Sequence, residues 1–247
     1  MKAERIVDIG PARLILGDAY EVRGDIGWVD AEFMDPPYAI KTSGGGKFRK
    51  ARPYLNQITE LGIDKGFDHT IINPMLTGSV TVFCHNDQVP ALSSYLSNTF
   101  DRFVLGFWAK SNPVPAANKH LLPDAEIWMR AWTKEHHPIG SLADKRRVIT
   151  ADEDDIDEWP VLGIRERVHP SKTFGHPTVK PLAVMDPIIR TTPGKTILDP
   201  FMGTGSTGVS AIRDGRNFIG IERNPEFFET AIRRITDELE RIDAIAA

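Results

Sequence analysis

Apolar positions in this chain fall into two rhythms. Short runs rich in β-branched and aromatic residues recur at Arg13–Leu16, Trp28–Met34, Ser79–Cys84, Arg102–Ala109, Thr196–Asp199 and Phe218–Glu222. Such runs predict buried strands. Helical spacing predicts helices over Phe67–Leu76, Val89–Ser97, Leu182–Arg190 and Ser206–Arg213. Pro193-Gly194 reads as a turn and Gly215 as a helix C-cap. Asn224 can cap a last helix that opens with Pro225. That helix carries a stripe of Phe227, Phe228, Ala231, Ile232, Ile235, Leu239 and Ile242, which predicts a core-facing side. Strands alternating with helices imply an α/β fold, a mostly parallel sheet covered on both faces. Between Ser111 and Val168 the pattern loosens into scattered prolines, tryptophans and charges. The expected organisation is therefore one domain built from 1–110 and 169–247, with 111–168 inserted to carry specificity.

Length and composition narrow the class. At 247 residues the chain has room for one α/β domain with a modest insertion. A hydrophobic fraction of 41% and a charged fraction of 26% are ordinary for a soluble protein. No apolar stretch approaches the roughly 20 residues that span a bilayer, and Met1–Arg5 lacks the apolar segment of a secretory signal. Cys84 is the only cysteine, so no intrachain disulfide can form, and a reducing cytoplasm is the expected compartment. The net charge of −4 does not favour nucleic acid, so any such binding must use local patches. Lys41, Lys47, Arg49, Lys50 and Arg52 form one patch without an acid among them. Arg146 and Arg147, after Lys145, form a second, followed by the acidic run Asp152–Glu158 that reads as a solvated loop. His136-His137 has no partner at ligand spacing, so no metal site is expected.

Chemistry concentrates at two segments. Thr196-Ile197-Leu198-Asp199-Pro200-Phe201-Met202-Gly203-Thr204-Gly205 is a strand entering a glycine loop with a helix behind it. Glycines there let the backbone approach a ligand. Glu222 ends the next strand, where an acid suits the two hydroxyls of a ribose. Gly203–Gly208 satisfies the dinucleotide pattern in letters, but Asp199 would repel a pyrophosphate. A carboxylate in that place can pair with the amino group of a methionine moiety and lie near a sulfonium, which favours S-adenosylmethionine.

The second segment is Asp35-Pro36-Pro37-Tyr38, directly after an apolar run. Two prolines bar a helix, fix an extended turn and remove two backbone donors. Asp35 and the Pro36 carbonyl can then accept two hydrogen bonds from one exocyclic amine, turning its lone pair toward a methyl donor. Tyr38 offers a face on which an extruded base can stack, worth roughly 1–3 kcal/mol.

These motifs together resemble the β class of amino-directed DNA methyltransferases, in which the DPPY motif precedes the FxGxG motif. His176-Pro177-Thr178-Val179-Lys180-Pro181 resembles the family's HPTxKP element, and Leu16-Gly17-Asp18-Ala19 its GD element. Trp108–Pro113 and Glu126-Ile127-Trp128 resemble its middle motifs, so the likeness runs from Arg13 to Phe228. It implies a Rossmann-like methyltransferase fold with permuted motif order and an inserted target-recognition region. By resemblance Asp35, Pro36, Pro37 and Tyr38 hold the target base. Asp199, Phe201, Gly203, Gly205 and Glu222 line the cofactor pocket, Asp18 approaches its adenine, and Thr178 and Lys180 meet its methionine carboxylate. The implied reaction is direct transfer of a methyl group from S-adenosylmethionine to the N6 amine of a flipped adenine in double-stranded DNA.

Adenine is preferred because the family's N4-cytosine members more often carry serine in place of Asp35. Cytosine N4 stays as the alternative, followed by a catalytically silent DNA-binding homologue. Methylation of a protein glutamine is a further rival, opposed by Asp35 and by the motif order. Methylation at cytosine C5 needs a cysteine nucleophile, whereas Cys84 follows Phe83 in an apolar strand and reads as structural. The basic residues from Lys41 to Arg52, with the glycine-rich Thr42–Gly46 among them, are expected to be mobile and to close over DNA phosphates. Arg130, Lys134, Arg146 and Arg147 are expected in the major groove. The resemblance leaves a homodimer and a cognate restriction enzyme as open partners. No further C-terminal DNA-binding domain is expected, since the chain stops soon after its last helix.

Overall fold

The computed structural model describes residues 2–38, 66–111, 121, 124–151 and 179–246. Among them is a sheet of nine strands: β1 (Arg5–Ile9), β2 (Ala12–Leu16), β3 (Val29–Met34), β4 (Thr77–Cys84), β5 (Arg102–Lys110), β6 (Ala125–Trp132), β7 (Val148–Ala151), β8 (Thr196–Asp199) and β9 (Asn217–Glu222). Five helices accompany it: α1 (Ala19–Ile26), α2 (Val89–Thr99), α3 (Leu182–Arg190), α4 (Ser206–Arg213) and α5 (Pro225–Ala246). The strand order is β1-β2-β9-β8-β3-β4-β6-β5-β7. From β2 to β4 every neighbouring pair is parallel. β1 joins β2 antiparallel at one edge, and β6 runs antiparallel between β4 and β5.

Alternation along the strands sorts the core onto two faces. Leu14 and Leu16 of β2, Phe33 of β3, Phe83 of β4, Ile197 of β8 and Phe218 of β9 pack with α3, α4 and α5. Ile15, Leu198 and Ile221 point to the other face against Ala19 and Val22 of α1. Val80, Val82 and Cys84 meet Leu92 and Leu96 of α2 on that same side. All eight residues of β4 are buried, as expected of a strand covered on both faces. The expected doubly covered, mostly parallel sheet is what the chain forms.

Three elements differ from the sequence expectation. Residues 67–76 form no α-helix, only the 3₁₀ turn His69–Ile71. Asp68 caps that turn through Thr70, the Asn73 side chain accepts from the Met75 amide, and Pro74 bars helix at the residue before it. Strand β1 has a weak apolar pattern because it is a half-exposed edge. The insertion predicted at 111–168 is not separate throughout. Ala125–Trp132 and Val148–Ala151 are strands of the common sheet, with β6 deep inside it.

A buried ion pair docks α1. Arg23 binds the Glu32 carboxylate of β3 and also donates to the Gly27 and Leu76 carbonyls. Burial still pushes the Glu32 carboxyl up to about 7, against the pull of Arg23. No helix among the described residues is long and apolar enough to cross a membrane.

Candidate active site

Parallel pairing brings the chemistry-bearing loops to one end of the sheet. Leu16 of β2 is in register with Glu222 of β9, and Asp199 of β8 with Gly220 of β9. The residues after β2, β3, β8 and β9 therefore emerge side by side, at the carboxyl edge where open α/β sheets bind ligands. Asp35 lies near enough for its charge to raise the pKa of Asp199, on top of the larger effect of burial.

On the cofactor side, Asp199 accepts from the Phe201 amide at 2.9 Å and from the Thr207 hydroxyl at 2.5 Å. Its carboxylate is 1% exposed and its hydrogen bonds come from neutral donors, so burial pushes its pKa up to about 7. The Glu222 carboxylate accepts from the amides of Gly203, at 2.8 Å, and Asn224, at 2.7 Å. Glu222 thus shapes the glycine loop as well as closing its strand, a duty the motif does not reveal. Burial raises its pKa despite these donors. Gly205 caps α4 at φ +86°, and a Cβ there would lie 3.0 Å from that of Ala231. The loop can make this turn against α5 only with glycine. Phe201 stands edge-on to Tyr20 and Phe67. Asp18 caps α1 through the Tyr20 amide, so helix capping accounts for its carboxylate.

The opposite wall is a compact charged cluster. Lys180 donates to both oxygens of Asp35 at 2.8 and 2.9 Å and to the Tyr38 hydroxyl at 3.2 Å. Glu126 of β6 lies 3.2 Å from the same ammonium and 2.9 Å from Lys110 of β5. The Tyr38 hydroxyl is 3.1 Å from Asp35 and 3.2 Å from Glu126. The Lys180 ammonium also sits 5.3 Å from the Tyr38 ring centre and 4.9 Å from that of Phe83.

Burial alone would raise the carboxyl pKa values and lower that of the lysine. For Glu126 the two lysines outweigh burial and bring it down to about 2. For Asp35 burial wins over Lys180, and its pKa is raised. Burial would lower the pKa of Lys180, but Asp35 and Glu126 together raise it. Tyr38 is held well above its ordinary value by burial and by both carboxylates.

The structure brings some of the predicted residues together and not others. Asp35, Pro36, Pro37, Tyr38, Asp199, Phe201, Gly203, Gly205 and Glu222 gather at this edge. Lys180, assigned by resemblance to the methionine carboxylate, gives its ammonium to Asp35, Tyr38 and Glu126. Thr178, Lys41, Lys47, Arg49, Lys50 and Arg52 lie outside the described residues, as does the acidic run Asp152–Glu158. Arg146 and Arg147 are exposed just before β7, and Lys134 is exposed just after β6. Arg130 is a correction: it is 4% exposed and cannot reach a groove. Its guanidinium bonds Thr81, the carbonyls of Ile188 and Thr191 and the hydroxyls of Thr191 and Thr192, tying β6 to the end of α3. His136 packs against Trp28 and bonds Thr133, a structural role. Glu126 and Lys110 are site residues that sequence reasoning missed. The signal was there, since both lie in the middle motifs, but only strand pairing brings Glu126 to the Asp35 cluster and Lys110 to Glu126.

The family model for N6_N4_Mtase, described as DNA methylase, matches residues 29–233. The chain belongs to this family of DNA methylases. It is 29% identical over 232 residues to type II methyltransferase M2.MboI of Moraxella bovis, covering 83% of this chain and 80% of that one. Type II methyltransferase M.HinfI of Haemophilus influenzae is 25% identical over 231 residues, with 85% of the methylase and 63% of that relative covered. The crystal structure of the M1.HpyAVI–SAM complex superposes with a TM-score of 0.60 at 26% identity, over 90% of this chain and 99% of that one. PvuII DNA methyltransferase, titled cytosine-N4-specific, shares the fold with a TM-score of 0.61 at 15% identity, over 94% and 92% of the two chains.

Proposed function

We propose that the methylase is a site-specific DNA methyltransferase acting on the exocyclic N6 amine of a flipped adenine, with S-adenosylmethionine as donor. The observation that carries this reading is the meeting of two motifs at one sheet edge. The Asp35 turn and the buried Asp199 loop follow strands of a single parallel array.

The residues present fit the donor. Asp199 is a buried carboxylate with only neutral hydrogen-bond donors, which suits a cationic ligand. Glu222 accepts from backbone amides, those of Gly203 and Asn224 among them, and its carboxylate oxygens have capacity left for a ribose diol. Phe201, Gly203 and Gly205 would line the pocket, with Asp18 near its far end. When bound, S-adenosylmethionine supplies an electrophilic methyl group on a sulfonium. Asp35 and the Pro36 carbonyl would hold the two amine hydrogens, so that the nitrogen lone pair faces that methyl. Tyr38 would cover the base, and the pocket would keep bulk water off the reacting atoms. The gain comes from positioning and a fixed charge environment, with no covalent enzyme intermediate. Cys84 supports this, since burial pushes its thiol up to about 12.

Asp35 favours adenine over cytosine because the family's cytosine members more often have serine there. DNA binding would come from Lys41, Lys47, Arg49, Lys50, Arg52, Lys134, Arg146 and Arg147, with sequence choice inside 111–168. Expression in a host lacking DNA methylation, followed by nucleoside mass spectrometry and modified-base sequencing, tests the reading. N6-methyladenine in one sequence context is the expected result. N4-methylcytosine would move the target to the other amine, and an unmodified genome would sink the assignment.

A further inference from the structure

The carboxylate meant for the target amine already holds a donor. Both Asp35 oxygens accept from the Lys180 ammonium, at 2.8 and 2.9 Å, and Lys180 is 6% exposed. An ammonium presenting N–H donors to one carboxylate imitates the exocyclic amine that Asp35 would bind. A target amine and this ammonium therefore compete for the same carboxylate. Glu126 offers the alternative anchor, 3.2 Å from the same nitrogen, and Lys110 holds Glu126 in place from its other side. The four side chains balance as two carboxylates and two ammoniums, so the cluster stays neutral when Lys180 shifts toward Glu126, and the Tyr38 hydroxyl and the incoming amine then supply donors to Asp35.

We propose that Lys180 is the displaceable occupant of the amine site on Asp35, and that Glu126 is the positioning residue that receives it when the target base enters. Neither is assigned to the reacting atoms. Glu126 acts through Lys180, by deciding how firmly that ammonium stays on Asp35. This rests on the Asp35 pocket taking the base, as argued above.

Neutralising Glu126 should leave Lys180 with Asp35 as its only carboxylate partner among the described residues. Glu126→Gln keeps the shape of the side chain and removes the charge. The test measures the single-turnover rate of methyl incorporation from labelled S-adenosylmethionine into whole-genome-amplified, hence unmethylated, bacterial DNA. Cofactor is kept saturating, and its dissociation constant and the melting midpoint are measured for each variant.

Glu126→Gln should slow incorporation roughly tenfold to a hundredfold, the scale of one charge-assisted hydrogen bond removed from a buried network. Its cofactor affinity should hold, and any fall in its melting midpoint should not account for the loss of rate, measured well below the midpoint. Glu126→Asp, which keeps the charge, should recover part of the rate. The pair Glu126→Gln with Lys180→Met should be faster than Glu126→Gln alone, because the occupant is gone. A rate in Glu126→Gln equal to wild type would overturn the proposal, and so would rates that simply follow the melting midpoints across the set. No incorporation by wild type would instead overturn the proposed function, and this inference with it.

Discussion

Asp199 shows what burial does to one side chain. Its carboxyl is raised from the ordinary 3.8 to about 7 because it is out of water beside neutral donors. The sign of the consequence follows from linkage. With the folded pKa above the unfolded one, the native state holds this proton up to about pH 7, and the group's contribution to stability falls as pH rises from about 4 to 7. A cationic ligand beside it would lower the pKa and expel the proton. Affinity for S-adenosylmethionine should therefore increase as pH rises to about 7 and level off above it. Calorimetry at pH 6 in buffers of different ionisation enthalpy should record proton release, and its absence would remove Asp199 from the ligand's charge. Cys84 gives the opposite kind of expectation. A buried thiol held up near 12 does no nucleophilic work, so Cys84→Ser should keep methyl transfer within a few-fold of wild type. Loss of turnover in a folded Cys84→Ser protein would count against direct transfer.

At the scale of elements, the cofactor loop is shaped by its supports more than by its letters. Gly205 holds φ +86° with Ala231 packed beneath it, and Glu222 holds the Gly203 amide from the neighbouring strand. Gly205→Ala should cost roughly 1–3 kcal/mol from the left-handed backbone, with some further loss from crowding against α5. Urea unfolding measures this, and unchanged stability would mean the loop can relax. The strand–loop–helix–strand unit was legible from sequence because every cue in it is local: a β-branched run, glycines, a helical stripe and a terminal acid. The 3₁₀ turn at His69–Ile71 was not, because apolar spacing alone hides a proline that bars a longer helix. Strand β6 was obscured for another reason. Its buried arginine and two tryptophans look like a polar recognition surface until the partners of Arg130 are seen.

For the whole molecule, stability and DNA binding are expected to separate. Arg130→Met removes bonds to two carbonyls and three hydroxyls in the core, and should cost about 2–4 kcal/mol. The salt dependence of DNA binding by the protein that remains folded should be unchanged, since Arg130 is buried. Alanine at Lys47, Arg49 and Lys50 should instead flatten that dependence, by about 0.9 in logarithmic slope for each phosphate no longer neutralised. An unchanged slope in filter binding would take these three residues off the DNA.

The sequence by itself determined the class of fold, the family and the two motif loops, because each is encoded in contiguous residues whose chemistry is readable in place. Only the tertiary structure decided that Glu126 stands beside Asp35 with Lys110 behind it, that Lys180 donates to the Asp35 carboxylate, and that Arg130 is a core strut. Those relations depend on which strands lie next to one another. Strand order is set by burying both faces of the whole sheet at once, and no local stretch of sequence carries that condition.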